Sequence, residues 1–374
     1  LGTTLLNQNR KYQLKNDVLI KLNKYTSPLE LFAGLEMIVP IKEDSLPLTE
    51  TPPIQLGMSL LELSIQNNTS PWGLQQLNDI SGTWDVNPNE HLYFGKSEQE
   101  VTTTFALIKS VNVNSLPLIQ GETVEMVVNT VEPAAINASI NGKNLYFFSE
   151  EANTYVSLLG ISAVAEPGAY QLQLDATSES GSTYSLNQWL LLSEGPYTND
   201  PEIYVGAKYV DPIVISEEEL IFDQLVAQAS STRYWNGRFQ APIADPTCIV
   251  GYFGNRRSYN DGALLYYHTG IDFNVCIEPN LYILAPARGI VVAAEEMIIR
   301  GNAIIIDHGW GVYTGYWHLS QFQVEVGDIV EPGQTIGIVG NTGRSAGPHL
   351  HFEMIVSGAA VNPLTWLNKT FPSQ

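Results

Sequence analysis

Residues 347–356 read GPHLHFEMIV. His349 and His351 are two apart in a run that continues as an alternating strand, and side chains at i and i+2 of a strand point to one face. Both imidazoles therefore face one site, while Leu350 and Phe352 point into a core. A lone histidine on such a strand would be structural. A pair on one face, next to the glycine-rich loop GNTGRSAGP (340–348), is not explained by packing and points to a metal.

Four of the six histidines fall in the segments HTGID (268–272), YWHLS (316–320) and HLH (349–351). The glycine of HTGID lets the chain turn so that His268 and Asp272 can reach one cation. An imidazole and a carboxylate suit zinc, which takes N and O ligands in tetrahedral geometry. Two ligands from HTGID and one from HLH make three, and three protein ligands with an open fourth position is the make-up of a catalytic zinc site. His318 and the remaining histidine of HLH then stand beside the metal, free to move protons.

The chain has 374 residues, enough for about two to four domains, and a net charge of −21 from 18 basic and 39 acidic residues. Such a surface argues against nucleic acid and anionic membranes as partners. It fits a neutral or cationic polymer, or simply a solvated acidic surface. No apolar run is long enough to span a membrane. The sequence opens at Leu1 without a signal-peptide pattern, so the expectation is a processed or truncated chain with any export signal upstream. Cys248 and Cys276 are the only cysteines and flank one segment. They form either a disulfide, the expectation here and one that fits an extracytoplasmic compartment, or two buried thiols. With no CxxC, a cysteine zinc site is not expected.

Along the chain, Gly2, Leu5, Leu6, Leu22 and Asn23 recur 55 residues later as Gly57, Leu60, Leu61, Leu77 and Asn78. Each unit reads as a short amphipathic helix, an Asn-containing turn, a second short helix or turn, and a closing strand. The Pro-rich stretch DSLPLTETPPIQ (44–55) reads as the linker between them. Residues 98–195 alternate apolar and polar positions, with Gly, Asn, Ser and Pro turns every 8 to 12 residues. That pattern predicts an immunoglobulin-like β-sandwich acting as a spacer. Residues 196–234 read as a connecting segment with a helix over SEEELIFDQLVAQASS (216–231), its acidic residues in the first turn. Residues 235–374 are strand-rich and read as one β domain.

The period-55 units resemble LysM modules, βααβ domains that bind N-acetylglucosamine-containing glycans. GMSL (57–60), LQQLN (74–78) and the closing strand EHLYFG (90–95) carry the likeness. It implies modules at 1–43, incomplete at its start, and 54–97. Neither copy has the usual Gly-Asp-Thr-Leu opening, and His91 at the closing strand is expected to be incidental.

FGNRR (253–257), HTGID, IDHGWG (306–311), YWHLS and the run from Val324 to GPHLHFE, in that order and spacing, resemble the lysostaphin/LytM-type zinc metallopeptidases, which cleave peptide bonds of bacterial peptidoglycan. The resemblance covers about 130 residues ending at NPLTWL (362–367). It implies His268, Asp272 and His351 as zinc ligands and His318 and His349 as catalytic histidines. His308 matches the motif IDHGWG but holds no such role and is expected to be structural. The loop around the site offers Asn341 and Arg344 as substrate contacts. One departure is NVCIEPNLYILAP (274–286), longer than the family's usual segment and carrying Cys276.

The expectation is thus a mainly β, multidomain chain: two α+β LysM-like modules, an immunoglobulin-like sandwich and a C-terminal LytM-type peptidase domain. Its function would be zinc-dependent hydrolysis of peptidoglycan crosslinks, outside the cytoplasm of a bacterium, in a secreted or cell-surface protein held on glycan strands. The alternative is a non-catalytic wall-binding activator or surface structural protein that keeps the peptidase fold.

Overall fold

The computed structural model describes residues 10, 11, 19, 23, 24, 38, 39, 48–54, 57–67, 69, 71–78, 80, 82, 85, 86, 90–95, 107–114, 116–181, 183–276 and 281–373. It is mainly β, with few helices, and none of the described helices is long and apolar enough to cross a membrane.

Strand β1 (Leu48–Glu50) pairs antiparallel with β2 (Tyr93–Gly95), and helices α1 (Leu60–Gln66) and α2 (Pro71–Asn78) lie between them in the chain. A capping box starts α1: Glu62 N donates to Ser59 Oγ at 3.1 Å, and Ser59 N donates to the Glu62 carboxylate at 2.8 Å. Leu60, Leu63 and Leu74 close a small core with Ile54 and Leu92. The first strand lies inside the stretch read as a linker, upstream of the boundary expected at 54. Three residues are too few to show alternation, and Pro52 and Pro53 follow the strand instead of interrupting it.

The period of 55 reappears in the hydrogen bonds. Asn78 donates to Leu74 O and Tyr93 O and accepts from Tyr93 N. Asn23 donates to Leu19 O and Ile38 O and accepts from Ile38 N, each partner 55 positions earlier. Apart from a few such residues, the module expected at 1–43 lies outside the described residues.

Two sheets share the next core. One has the order β4-β11-β10-β6-β7, with β4 (Leu118–Ile119), β6 (Ala134–Ile140), β7 (Lys143–Leu145), β10 (Gly168–Ser178) and β11 (Thr183–Ser193). The other has the order β3-β5-β9-β8, with β3 (Ile108–Val113), β5 (Thr123–Thr130), β8 (Phe148–Glu151) and β9 (Thr154–Gly160). Burial in β11 alternates residue by residue, as expected of a strand with one wet face. In β9 the central residues are buried on both faces. Leu159 joins the core between the two sheets, while Val156 and Leu158 join that of the C-terminal region.

These sheets are therefore docked on their C-terminal neighbour and are not a free-standing spacer. The unbroken run VSLLG in β9 is the local mark of that double burial. Across the junction, the Trp366 indole N–H donates to Thr123 Oγ1 at 2.8 Å, and Ser373 N donates to the buried Glu125.

The connecting helix α3 spans Pro212–Val226, not the expected 216–231. Asp211 caps it by accepting from Ile213 N at 2.9 Å, and Pro212 opens its first turn. Glu217, Glu218 and Glu219 thus fall in the second turn, too deep for the end of the helix dipole to account for them.

The main C-terminal sheet runs β12-β15-β23-β19-β18-β17-β21, with β24 (Ala359–Val361) beside β23. Its strands are β12 (Ile249–Gly251), β15 (Ile271–Asn274), β17 (Gly289–Met297), β18 (Gly301–Gly309), β19 (Val312–Leu319), β21 (Ile329–Val330) and β23 (His349–Val356). A hairpin of β13 (Arg256–Tyr259) and β14 (Leu264–Tyr267) stands beside it. A small sheet is built from β16 (Tyr282–Leu284), β20 (Gln321–Phe322) and β22 (Thr335–Ile338). Helix α4 (Pro363–Asn368) closes the chain.

Alternation divides the main sheet between two cores. Ile304, Ile306, Tyr316, Phe352 and Met354 face the large core. Ala303, Ile305, Tyr313, Trp317 and Ile355 face the other way, where Phe222 and Val226 of α3 cover them. His349, His351 and Glu353 share the face of Ile355. The connecting helix thus buries one end of a sheet face whose other end carries the histidines.

Candidate metal and catalytic centre

Strand pairing assembles the site. β15 and β23 run antiparallel with Asp272 opposite His351, and Trp317 of β19 is opposite His351 on its other side. His268 reaches back from the turn before β15. A Cβ on Gly270 in that turn would lie 2.3 Å from Phe352 O, so glycine alone lets the turn sit this close.

His268 Nε2, Asp272 Oδ1 and His351 Nδ1 converge: the three separations are 3.0, 2.9 and 2.9 Å. All three residues are buried. The outer nitrogen of each imidazole is already committed as a donor. His268 Nδ1–H donates to Tyr252 O at 2.9 Å, and His351 Nε2–H donates to Glu353 Oε1 at 2.9 Å. Each ring therefore turns a lone pair inward, where it meets the other lone pair and a carboxylate oxygen. Three acceptors facing one another repel unless a cation sits among them, so this donor set fits a divalent metal that accepts N and O ligands.

Burial acts to lower His351, but its hydrogen bonds to Asp272 and Glu353 outweigh it and raise its pKa, so a cation, whether proton or metal, is favoured among these groups. Burial pushes the His268 pKa down. Burial acts to raise Asp272, but the neighbouring imidazoles and Arg257 outweigh it and hold the carboxyl well below its usual range. Glu353 is likewise held down, to about 2, by His351 and Arg300 against the effect of burial.

His318 and His349 stand next to this cluster, their rings 4.9 Å apart. His318 Nδ1–H donates to Thr342 O and His349 Nδ1–H to Gly347 O, each at 2.8 Å. Their Nε2 atoms are thus the basic ones. Both line a cleft of about 330 Å³ together with His268, Asp272, His351 and Arg344. Burial, with His349 and His351 adding to it, holds His318 well below the ordinary histidine pKa, so it is neutral at pH 7. Asn341 is exposed and is not among the cleft residues.

Residues 266–363 match peptidase family M23. The chain carries an M23 peptidase domain. A Vibrio cholerae protein named peptidoglycan DD-endopeptidase ShyA is 38% identical over 123 residues, 33% of this chain and 28% of that one. A Neisseria meningitidis protein named DD-carboxypeptidase/endopeptidase Mpg is 43% identical over 98 residues, 26% of this chain and 22% of that one. The matches thus span less than a third of these relatives' own length. Among solved structures, the catalytic domain of lysostaphin from Staphylococcus simulans is 30% identical, covering 36% of this chain and 90% of its own, with a TM-score of 0.26.

Several residues around this cluster were not singled out by sequence. Glu353 continues the i, i+2 register of His349 and His351, and Thr269 Oγ1 hydrogen-bonds it. Arg257, the last residue of FGNRR, donates from Nη2 to Asp272 Oδ2 at 2.6 Å and from Nε to Asp200 Oδ2 at 2.9 Å. Asp200 belongs to the connecting segment, which lies parallel to β13 through bridges at Asn199–Arg256 and Ile203–Tyr259. Helix α3 adds Glu218, buried and bound to Ile299 N, Arg300 N and Arg300 Nη1. Segment 200–203 and Glu219 line the cleft, so the connector forms one of its walls.

Cys248 and Cys276 form a disulfide beside β12 and β15, and part of the segment after Cys276 (277–280) lies outside the described residues. His91 lies in the N-terminal region, its Nδ1 2.7 Å from Thr51 O.

His308 sits in the M23 core, fully buried, with its Nδ1–H donating to Arg288 O at 2.9 Å and its Nε2 2.8 Å from Thr314 Oγ1. Burial pushes its pKa down from 6.5 to about 4. Below pH 6.5 the unfolded chain takes up a proton there that the folded chain refuses. Stability is therefore full above that pH and falls towards pH 4, by roughly 3 kcal/mol from this one group. Urea unfolding at pH 7 and pH 4.5 checks this: wild type should lose more stability over that interval than His308→Gln.

Proposed function

We propose that this chain is a zinc-dependent endopeptidase that hydrolyses peptide bonds of bacterial peptidoglycan outside the cytoplasm. The observation that carries the reading is the convergence of three buried acceptors, His268 Nε2, Asp272 Oδ1 and His351 Nδ1, each turned inward by a hydrogen bond or ion pair behind it. Relatives named as peptidoglycan DD-endopeptidases support the substrate class.

In this reading those three residues hold zinc. Bound zinc supplies Lewis-acid chemistry, polarising the scissile carbonyl and acidifying water. The chain's own groups handle the protons. His318 and His349 each present a basic Nε2 to the cleft, with Nδ1 tied to a loop carbonyl. One accepts the proton of the attacking water and the other stabilises the oxyanion or protonates the leaving amine.

The remaining assignments belong to the same proposal. The βααβ unit around 48–95 is a LysM-like module that holds the enzyme on glycan strands, with a second at 1–43. The two sheets within 98–195 are an immunoglobulin-like sandwich, 196–234 the connector, and 235–374 the peptidase domain. The purified chain with zinc should release peptide-crosslink fragments from cell-wall sacculi, and His351→Ala should release none. A zinc-loaded wild type that leaves sacculi intact overturns the reading.

A further inference from the structure

We propose that Arg344 is a carboxylate-binding residue of the cleft, and that the peptide selected there carries a free carboxylate near the bond to be cut. This rests on the endopeptidase reading and adds to it the chemistry of the substrate.

Three arginines line the cleft. Arg257 is paired with Asp200 and Asp272, and Arg300 with Glu218 and Glu219. Arg344 has no ion-pair partner among the described residues. Its guanidinium instead lies over two rings, 5.0 Å from the centre of Tyr259 and 4.8 Å from that of Tyr266. Its Nη1 is buried without a hydrogen-bond partner. A buried, charged N–H donor left unmade is costly, and folds retain such a group where a ligand completes it. The aromatic faces fix the plane of the fork, and a planar fork matches a carboxylate through two parallel bonds.

Within the cleft, the surroundings favour an anionic ligand at Arg344. The chain carries a net charge of −21 and the cleft walls include Glu202 and Glu219. A substrate carboxylate is repelled along most of this surface and attracted at the one cleft arginine without an ion pair among the described residues.

The loop that carries Arg344 is held rigidly against the catalytic strands. Arg344 N donates to Ile299 O at 2.8 Å, and Thr342 Oγ1 donates to Leu319 O and accepts from Asn302 N, both at 2.9 Å. Gly343, at φ +72°, lies so close to β18 that a Cβ would come 2.4 Å from Gly301 N. Thr342, two residues before Arg344, is the residue whose carbonyl fixes the His318 ring. Binding at Arg344 and proton transfer at His318 therefore share one short, rigid frame.

The test uses the zinc-loaded full chain and a crosslinked peptide in three forms: unmodified, with its C-terminal carboxylate amidated, and with its side-chain carboxylate amidated. In wild type, one amidation should raise KM about 10- to 100-fold, the range of a charge-assisted pair, and which one does so identifies the carboxylate. Arg344→Gln should raise KM for the unmodified peptide to that of the amide, leaving zinc content and kcat within a few-fold. Arg344→Lys, which keeps charge without the fork, should recover only part of the preference.

Equal kcat/KM for all three forms in wild type, or an unchanged preference in Arg344→Gln, overturns the assignment. Calorimetric titration of the metal-free chain with the same peptides reads binding alone. Carboxylate preference without cleavage would sink the endopeptidase reading and keep this one, whereas cleavage without preference would do the reverse.

Discussion

Asp272→Asn is expected to abolish hydrolysis and zinc binding without unfolding the chain. In wild type the carboxylate joins two imidazole lone pairs on one side and the Arg257 guanidinium on the other. The amide removes the only negative charge of the ligand set. It also brings an N–H₂ donor to the two imidazoles, so the metal-free variant keeps hydrogen bonds there. Loss of an outer-shell partner already costs about 10- to 100-fold in metal affinity, so loss of the charged ligand should exceed about 100-fold.

The measurement is thermal unfolding with and without zinc. A metal that binds only the folded state stabilises it by about 2.7 kcal/mol at 100 times its Kd. Wild type should therefore melt higher with zinc, and Asp272→Asn should melt at one temperature in both conditions. A variant that still shifts with zinc would remove Asp272 from the ligand set.

The site was legible in the sequence to the extent that it follows strand periodicity. His349 and His351 share a face because they are two apart, and the structure buries Leu350 and Phe352 on the other side. His268 and Asp272 were readable from the turn between them. The groups behind the ligands were not, because they come from distant segments or are ambiguous by type. Glu353 lies in register with the histidines, yet one glutamate on a strand has no distinctive meaning. Asp200 is 57 residues from Arg257, and no local pattern connects them.

The connecting helix is expected from its run of glutamates but starts one turn earlier, where Asp211 caps it and Pro212 opens it. That run answers to Arg300, not to the helix dipole. The docking of the two sheets within 108–193 is not legible for a related reason. Alternation identifies strands but does not tell which neighbour covers their outer face: the apolar run of β9 is buried on both faces, whereas that of β11 (WLLL) alternates between exposed and buried.

His318→Ala should lose about 10²- to 10⁴-fold in kcat, the usual contribution of a general acid or base, while keeping the zinc-dependent rise in melting temperature. The distinction is geometric. His318 turns its Nε2 towards the cleft, but it is His268, Asp272 and His351 whose atoms converge.

The backbone supplies a second test at the same residue. His318 sits at φ +70°, a left-handed conformation that costs a side-chain-bearing residue roughly 1–2 kcal/mol. Its amide donates to Arg300 O at 2.9 Å and its ring is tied to Thr342 O, so packing enforces a conformation that the residue resists. Strain held in this way marks a position kept for function. Alanine retains the strain and glycine relieves it. His318→Gly should therefore unfold at higher urea than His318→Ala, by about 1 kcal/mol, with both variants equally inactive and both still binding zinc. A Gly variant no more stable than Ala would show that the turn carries no strain. An Ala variant that keeps wild-type kcat would remove His318 from the reaction.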